Sequence, residues 1–308
     1  MNLGLSCYQV GDGPLAERIG ATRAHLFADV SDGVPDHTEI IADMAAHGCA
    51  PVPDLRTCVM TLGRMIAGQG EPLERRDRAL RWFSDSIVEY LDAHPTVADV
   101  EVWGSAEVAQ FKHGRGEMLN YADVLTDVYR RVKEARPDVR VWTGGFGCAH
   151  GTIADLTLLE NALAEHAPDA FDVCNMHPFI VSGGYPDVDC NTLRVRLQKA
   201  RRTLDEKCVG QPLAATGFGL PTLDIPPLPA AYGRFIRLPS GVRAIREEEA
   251  MDWYVPLLAV LEECGFETVC LLARDIAPAT RFQHYCGLTT ATGADKSFTD
   301  ELATHLHR

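Results

Sequence analysis

The stretch VADVEVWGSAEVAQFKHGRGEMLNYADVLTDVYRRVKEARPDVRVWTGGFG, residues 97–147, decides the fold. Its opening VADVEVWGS is an apolar, strand-like run. From Asn120, NYADVLTDVYRRVKEARP places apolar residues three and four apart, the period of an amphipathic helix. Asn120 is a candidate N-cap, and Pro137 prevents the helix from continuing. VRVWTGGFG, from Val139, is a second strand. A strand, a helix and a strand in succession imply parallel neighbours joined by a right-handed crossover.

The same alternation runs in both directions from this unit. Strand-like runs are LGLSCYQ from Leu3, TRAHLFADV from Thr22 and APVPDLR from Ala50, then FDVCNMHPF from Phe171, PLAATGFG from Pro212 and ETVCLLARD from Glu267. Helical patterns between them include DHTEIIADMAAHG, ERRDRALRWFSDSIVEYLDAH and EEEAMDWYVPLLAVLEECG. Asp36 is a second candidate N-cap, Pro95 a stop, and Gly48 and Gly265 fit left-handed C-terminal caps. Eight strand-helix pairs predict an α/β protein, a single (β/α)8 TIM barrel spanning residues 1–308. An open dinucleotide-binding sheet is disfavoured, because GDG at residues 11–13 reads as a turn and no glycine fingerprint follows the first strand. The long Pro-rich loop 220–243 after strand seven is read as a lid or pocket wall, with an irregular surface connection as the bland alternative.

The 308 residues are 46% hydrophobic and 23% charged, as in an ordinary globular protein. With 29 Lys+Arg against 43 Asp+Glu, the formal charge of −14 repels phosphate backbones and anionic membranes, so no nucleic acid and no membrane is expected as partner. The basic run Arg194, Arg196, Lys199, Arg201 and Arg202 reads as a solvated helix face. The N-terminal MNLGLSCYQV lacks the basic-then-apolar pattern of a leader, and the expected location is cytoplasmic. Ten scattered cysteines without CxxC pairs, several in strand-like runs such as Cys7, Cys174 and Cys270, fit reduced buried thiols. Nothing indicates an oligomeric state.

Several strand ends, in order, resemble clan A glycoside hydrolases, above all the β-xylosidase and α-iduronidase family. GATRAHLF is similar to the family's strand two, which implies that Arg23 and His25 lie near the barrel mouth. VEVWGSAEVAQF resembles EVWNEPN of strand four. FDVCNMHPF resembles D-x-x-x-x-H-x-Y of strand six, so His177 takes the histidine position and Phe179 replaces the tyrosine. LAATGFGLPT is similar to ITEFGxPT of strand seven, and FQHYCGLTTATGADKSFTDEL to the closing FGLxxxxGxPKPAY. The resemblance spans nearly the whole chain.

It implies a chemistry that this chain lacks the groups for. Retaining hydrolysis needs two carboxylates about 5 to 5.5 Å apart, one donating a proton and one attacking the anomeric carbon. Carried over residue by residue, the acid/base glutamate falls at Ser105, its preceding asparagine at Gly104 and the nucleophile at Gly217. Retaining hydrolysis by this route is expected to be lost.

Other groups at strand ends remain. Glu107, two residues past Ser105, is the leading acid/base candidate, with a surface carboxylate as the alternative. His177 suits proton transfer near neutrality. Asp54 and Arg56 end strand three, Asp29 follows His25, and Arg274 with Asp275 ends strand eight. With Arg23, Asn175, Ser105 and Gly217 these are candidates to line one substrate pocket, and each alone is equally a salt-bridge or packing residue. Trp103 and Phe218 are candidate stacking faces, although a packed role is the simpler reading for Phe218. Glu101 is read as balancing an Arg or Lys lower in the barrel. A metal set of His25, Asp29, Asp54 and His177 is demanded by no local spacing, so neither metal nor cofactor is expected.

Three functions follow. The first is an enzyme using Glu107 and His177 for elimination, isomerisation or cyclisation of a sugar-like or cyclic small molecule. The second is a non-catalytic pseudoglycosidase that binds a carbohydrate or a partner protein. The third is a residual glycosidase with Glu107 in the acid role.

Overall fold

The computed structural model describes residues 1–7, 9–57, 61–62, 65, 71–105, 111–113, 117–119, 121–146, 167–178, 181–182, 185–186, 190–223, 236–237, 243–276 and 285–307. Eight parallel strands form its centre: β1 (Asn2–Cys7), β2 (Arg23–Asp29), β3 (Ala50–Arg56), β4 (Asp99–Ser105), β5 (Arg140–Gly145), β6 (Cys174–Asn175), β7 (Leu213–Phe218) and β8 (Phe266–Leu272). Each overlaps a run that the sequence marks as a strand, with β1 and β8 beginning one residue before theirs.

Among the described residues the α-helices are α1 (Gly13–Arg18), α2 (Thr38–Ala46), α3 (Pro72–Ala93), α4 (Tyr121–Ala135), α5 (Cys190–Lys207), α6 (Met251–Glu263) and α7 (Thr299–Leu306). The connection from β5 to β6, residues 147–166, lies outside the described residues. The strands pair in the order β5-β4-β3-β2-β1-β8-β7-β6. Parallel bridges from Trp142 to Val173 and from Phe146 to Met176 join the last strand to the first. The ring is therefore closed, a (β/α)8 barrel.

Residue chemistry explains the elements. On α4 the buried residues Tyr121, Val124, Leu125, Val128 and Val132 recur three and four apart, a stripe that seals against the barrel. Pro72 opens α3, where its missing N–H is not needed. Gly48 (φ 79°) and Gly265 (φ 78°) end their helices in the left-handed conformation, as their positions predict. At α2 the N-cap is His37, not Asp36, but the Asp36 carboxylate still accepts the Thr38 N–H at 3.0 Å. Asn120 lies outside the described residues.

Two cores result. The larger lies between strands and helices, and a smaller one of Val52, Trp142, Val173 and Ala214, drawn from separate strands, fills the inside of the ring. The described cysteines are free thiols, with Cys7, Cys174 and Cys270 buried. The basic run on α5 meets carboxylates, Arg194 pairing with Glu263 at 2.9 Å and Arg201 with Asp205 at 2.7 Å. Among the described residues, no helix is long and apolar enough to cross a membrane. Of the loop 220–243, Thr222–Leu223 and Ile236–Arg237 pair with Arg243–Arg246 in a small three-stranded sheet, and residues 224–235 and 238–242 lie outside the described set.

Candidate functional site

Side chains alternate across a strand, so residues two apart share a face. On the inner face of the barrel this alternation builds three tiers. The lowest, at the N-terminal ends of the strands, is ionic: Asp99 accepts from Arg140 Nε at 2.7 Å and from Trp142 Nε1 at 2.8 Å, and Arg23 approaches it at 3.7 Å. Above it lies the apolar tier of Val52, Trp142, Val173 and Ala214. The third tier, toward the C-terminal ends, is polar again. It gathers Ser6, His25, Asp54, Glu101, Asn175 and Thr216, all buried, with His177 partly exposed above them.

Register places these groups together. Ser6 on β1 lies opposite His25 on β2, and Asp54 on β3 lies opposite Glu101 on β4. His25 Nε2 stands 3.0 Å from Glu101 Oε2, and its Nδ1 is 3.2 Å from Ser6 Oγ. The Ser6 hydroxyl in turn donates to the Thr216 carbonyl. Asp54 accepts the Gly104 N–H at 2.6 Å through Oδ1, while Arg56 stands 3.7 Å from Oδ2. Asn175 and Thr216 exchange two hydrogen bonds, of 2.6 and 3.0 Å, and the Thr216 hydroxyl lies 3.5 Å from His177 Nε2.

Burial dominates the ionisation of this tier, because it penalises every charged form. It pushes the Glu101 carboxyl up to about 7, against the opposing influence of the nearby His177, Thr216, Arg56 and Asn175. It raises Asp54 to about 6, opposed by Arg56. Both imidazoles are lowered to about 4 by the same burial, with Asp54 opposing at His25 and Glu101 at His177. Near neutral pH the histidines are therefore uncharged proton acceptors, beside an Asp54 that is mostly ionised and a Glu101 divided between its protonated and charged forms.

Of the residues singled out from sequence, His25, Asp54, Asn175 and His177 come together here. Arg56, its side chain 40% exposed, lies at the rim over the Phe27 ring, 4.5 Å from its centroid. Ser105 ends β4 and Gly217 is the penultimate residue of β7, both at the C-terminal end of the ring. Glu107, Phe179 and the greater part of the 220–243 loop lie outside the described residues.

The others are placed elsewhere. Arg23 is a correction: as the first residue of β2 it belongs to the ionic tier at the opposite end, because a strand of seven residues separates its two ends by most of the barrel height. Asp29 is exposed and accepts the Ser31 N–H at 2.8 Å, a local turn. Trp103 adopts a left-handed backbone (φ 67°) at a register break in β4, and its indole packs edge-on against Phe83 of α3, on the outer side of the sheet. Phe218 packs on Tyr254 of α6, with ring centroids 6.0 Å apart. Arg274 binds Asp12 at 2.5 Å, and Asp275 binds Lys296 at 2.9 Å, so both anchor neighbouring segments.

Glu101 is a second correction. Its partner is His25, not an Arg or Lys lower in the barrel, and Asp99 takes that role two residues earlier. Ser6 and Thr216 are members that sequence reasoning missed. The available signal was polarity at inward positions of otherwise apolar strands: Ser6 in LGLSC, Glu101 in VEVW and Thr216 in LAATGF.

No protein-family model matches the chain, and no curated protein matches it in sequence. Solved structures do match in shape. A family 39 glycoside hydrolase from the gut symbiont Bacteroides cellulosilyticus WH2 superposes over 98% of this chain and 62% of its own, at TM-score 0.68 and 14% identity. A β-glucuronidase from an uncultured Clostridium sp. matches over 99% and 50%, at TM-score 0.64 and 14% identity. The exo-β-1,4-mannosidase Op5Man5 from Opitutaceae bacterium strain TAV5 matches over 100% and 59%, at TM-score 0.61 and 14% identity. The chain thus spans about half to three fifths of the length of these proteins, and what it shares with them is the (β/α)8 barrel fold.

Proposed function

We propose that this chain is a clan A glycoside-hydrolase-like barrel that has lost retaining hydrolysis and performs non-hydrolytic acid/base chemistry on a sugar-like or cyclic small molecule. The reading rests on one juxtaposition. The ends of β4 and β7 carry Ser105 and Gly217, neither able to act as a carboxylate, while the tier just inside them carries two carboxyls and two imidazoles. A barrel that had simply decayed would have no reason to keep three buried titratable groups and a partly exposed histidine at the end where such folds bind their substrates.

His177 is the group best placed to meet a substrate. It is the member of the tier with solvent exposure, it is uncharged at neutral pH, and its Nε2 lies beside the Thr216 hydroxyl. Its role is to accept a proton from a carbon or hydroxyl of the bound molecule. Glu107 stays the proposed second acid/base on the loop after β4, and Asn175, Arg56, Ser105 and Gly217 the proposed pocket wall. Sugar-like ligands are favoured because the fold is shared with a mannosidase and glucuronidases.

The test is proton exchange in heavy water. Aldoses, ketoses, sugar acids and cyclitols are incubated with the protein and followed by proton NMR. Expected is deuterium incorporation or a new product for at least one compound, lost in His177→Ala. Saturable binding of a sugar with no exchange and no product would instead favour a non-catalytic pseudoglycosidase.

A further inference from the structure

We infer that His25, Asp54 and Glu101 form a binding site for one divalent first-row metal cation of the Zn2+ or Mn2+ class, at the floor of the barrel mouth. The site goes beyond the acid/base reading and stands whether or not that reading holds. No local spacing in the chain signals it, since the three residues come from three different strands.

The donor atoms converge. One ligand atom from each residue can be chosen so that all lie within 4.8 Å of one another. Around a tetrahedral ion the donors lie about 3.3 to 3.6 Å apart, a spacing that the His25–Glu101 pair at 3.0 Å already approaches and that the remaining pairs reach by closing at most about an ångström. All are buried, at 2% exposure for His25 and 0% for both acids.

The hydrogen bonds around the cluster leave the right atoms over. Ser6 Oγ spends its only proton on the Thr216 carbonyl, so toward His25 it is an acceptor and Nδ1 carries the imidazole proton. The Nε2 lone pair then points at Glu101 Oε2 from 3.0 Å, two electron-rich atoms face to face and without the alignment of a hydrogen bond. Asp54 uses Oδ1 on the Gly104 amide, and its Oδ2 makes no hydrogen bond. Neither oxygen of Glu101 makes one of good geometry. Buried polar atoms are seldom left in this state, and a ring nitrogen fixed through its other nitrogen is how metal-ligating histidines are held.

Charge points the same way. Two buried carboxylates face one rim guanidinium, Arg56, which is itself 40% exposed. One imidazole and two carboxylates suit Zn2+ or Mn2+ better than Mg2+ or Ca2+, which favour oxygen alone. Three protein ligands also leave coordination positions open toward the mouth for water or a pair of substrate oxygens.

The experiment is calorimetric titration of the chelator-stripped full chain with ZnCl2 and, separately, MnCl2. Expected is saturable binding of at least one ion at one per chain, weakened more than about tenfold in both Glu101→Gln and Asp54→Asn. A readout on the unmutated protein guards against misfolded variants: pulsed EPR of the Mn2+-loaded chain shows coupling to one imidazole nitrogen. No saturable binding of either ion, binding unchanged in folded variants, or a bound Mn2+ with no nitrogen coupling would each overturn the proposal.

Discussion

Gly104 and Asp54 are locked together: the glycine N–H donates to Asp54 Oδ1 at 2.6 Å, and a Cβ on residue 104 would collide with the same carboxylate. Position 104 is thus closed to a side chain by a neighbour buried in the polar tier. Gly104→Ala is expected to lower stability by about 1 to 3 kcal/mol, because Asp54 must leave its place or lose its amide partner. Urea unfolding measures it, and an unchanged midpoint would show that the carboxylate moves freely.

The glycosidic reaction itself is a second prediction. With Ser105 and Gly217 at the ends of β4 and β7, aryl β-glycosides are expected to remain intact, with or without added azide. Release of nitrophenol that rises with azide concentration would reveal a working acid group at this mouth and restore the residual-glycosidase reading.

Lys296 offers a third. Its ammonium is buried and donates to Asp275 at 2.9 Å, the Tyr285 carbonyl at 2.8 Å, and the Thr222 hydroxyl and carbonyl at 3.0 and 3.2 Å. These bonds tie the C-terminal segment to the ends of β7 and β8. Lys296→Met strands the partly buried Asp275 carboxylate and is expected to destabilise the fold by about 3 kcal/mol. Adding Asp275→Asn should recover part of the loss; a double variant no better than the single one would mean that packing, not charge, is what Lys296 supplies.

A fourth concerns acid. Arg18 grips Asp295 through two hydrogen bonds of 2.7 Å and holds its carboxyl below the usual carboxylate range. A lowered acid is stabilising above its unfolded value of about 3.9, and the effect disappears as pH falls through the lowered folded value. With Asp295 46% exposed, Arg18→Ala is expected to cost only about 0.5 to 1 kcal/mol at pH 7 and progressively less below pH 4. Paired thermal melts at pH 7 and pH 3 check it: an equal gap at both would remove the ion pair as its cause.

The ring of strands was legible because its signals are local. β-Branched and apolar runs, helical periodicity on α4, and glycines such as Gly48 and Gly265 each act within a few residues, and their alternation admits few topologies. Within β4 the alternation even puts Asp99 and Glu101 on one face. It does not say which tier each occupies or whom it meets. Trp103 shows the limit in another way, since its indole turns out toward Phe83 at a register break flanked by the Tyr121 hydroxyl, which donates to Val102 O at 2.8 Å and accepts from Gly144 N at 2.5 Å.

Chain order and residue type alone pointed to the closed α/β barrel and to a surplus of polar residues near strand ends. Only the assembled ring determined that His25 meets Glu101, that Arg23 lies at the far end, and that Asp54 excludes a side chain at Gly104. The reason is the stagger between neighbouring strands. It sets the height of each inward side chain through contacts between residues tens to hundreds of positions apart, and no local pattern encodes it.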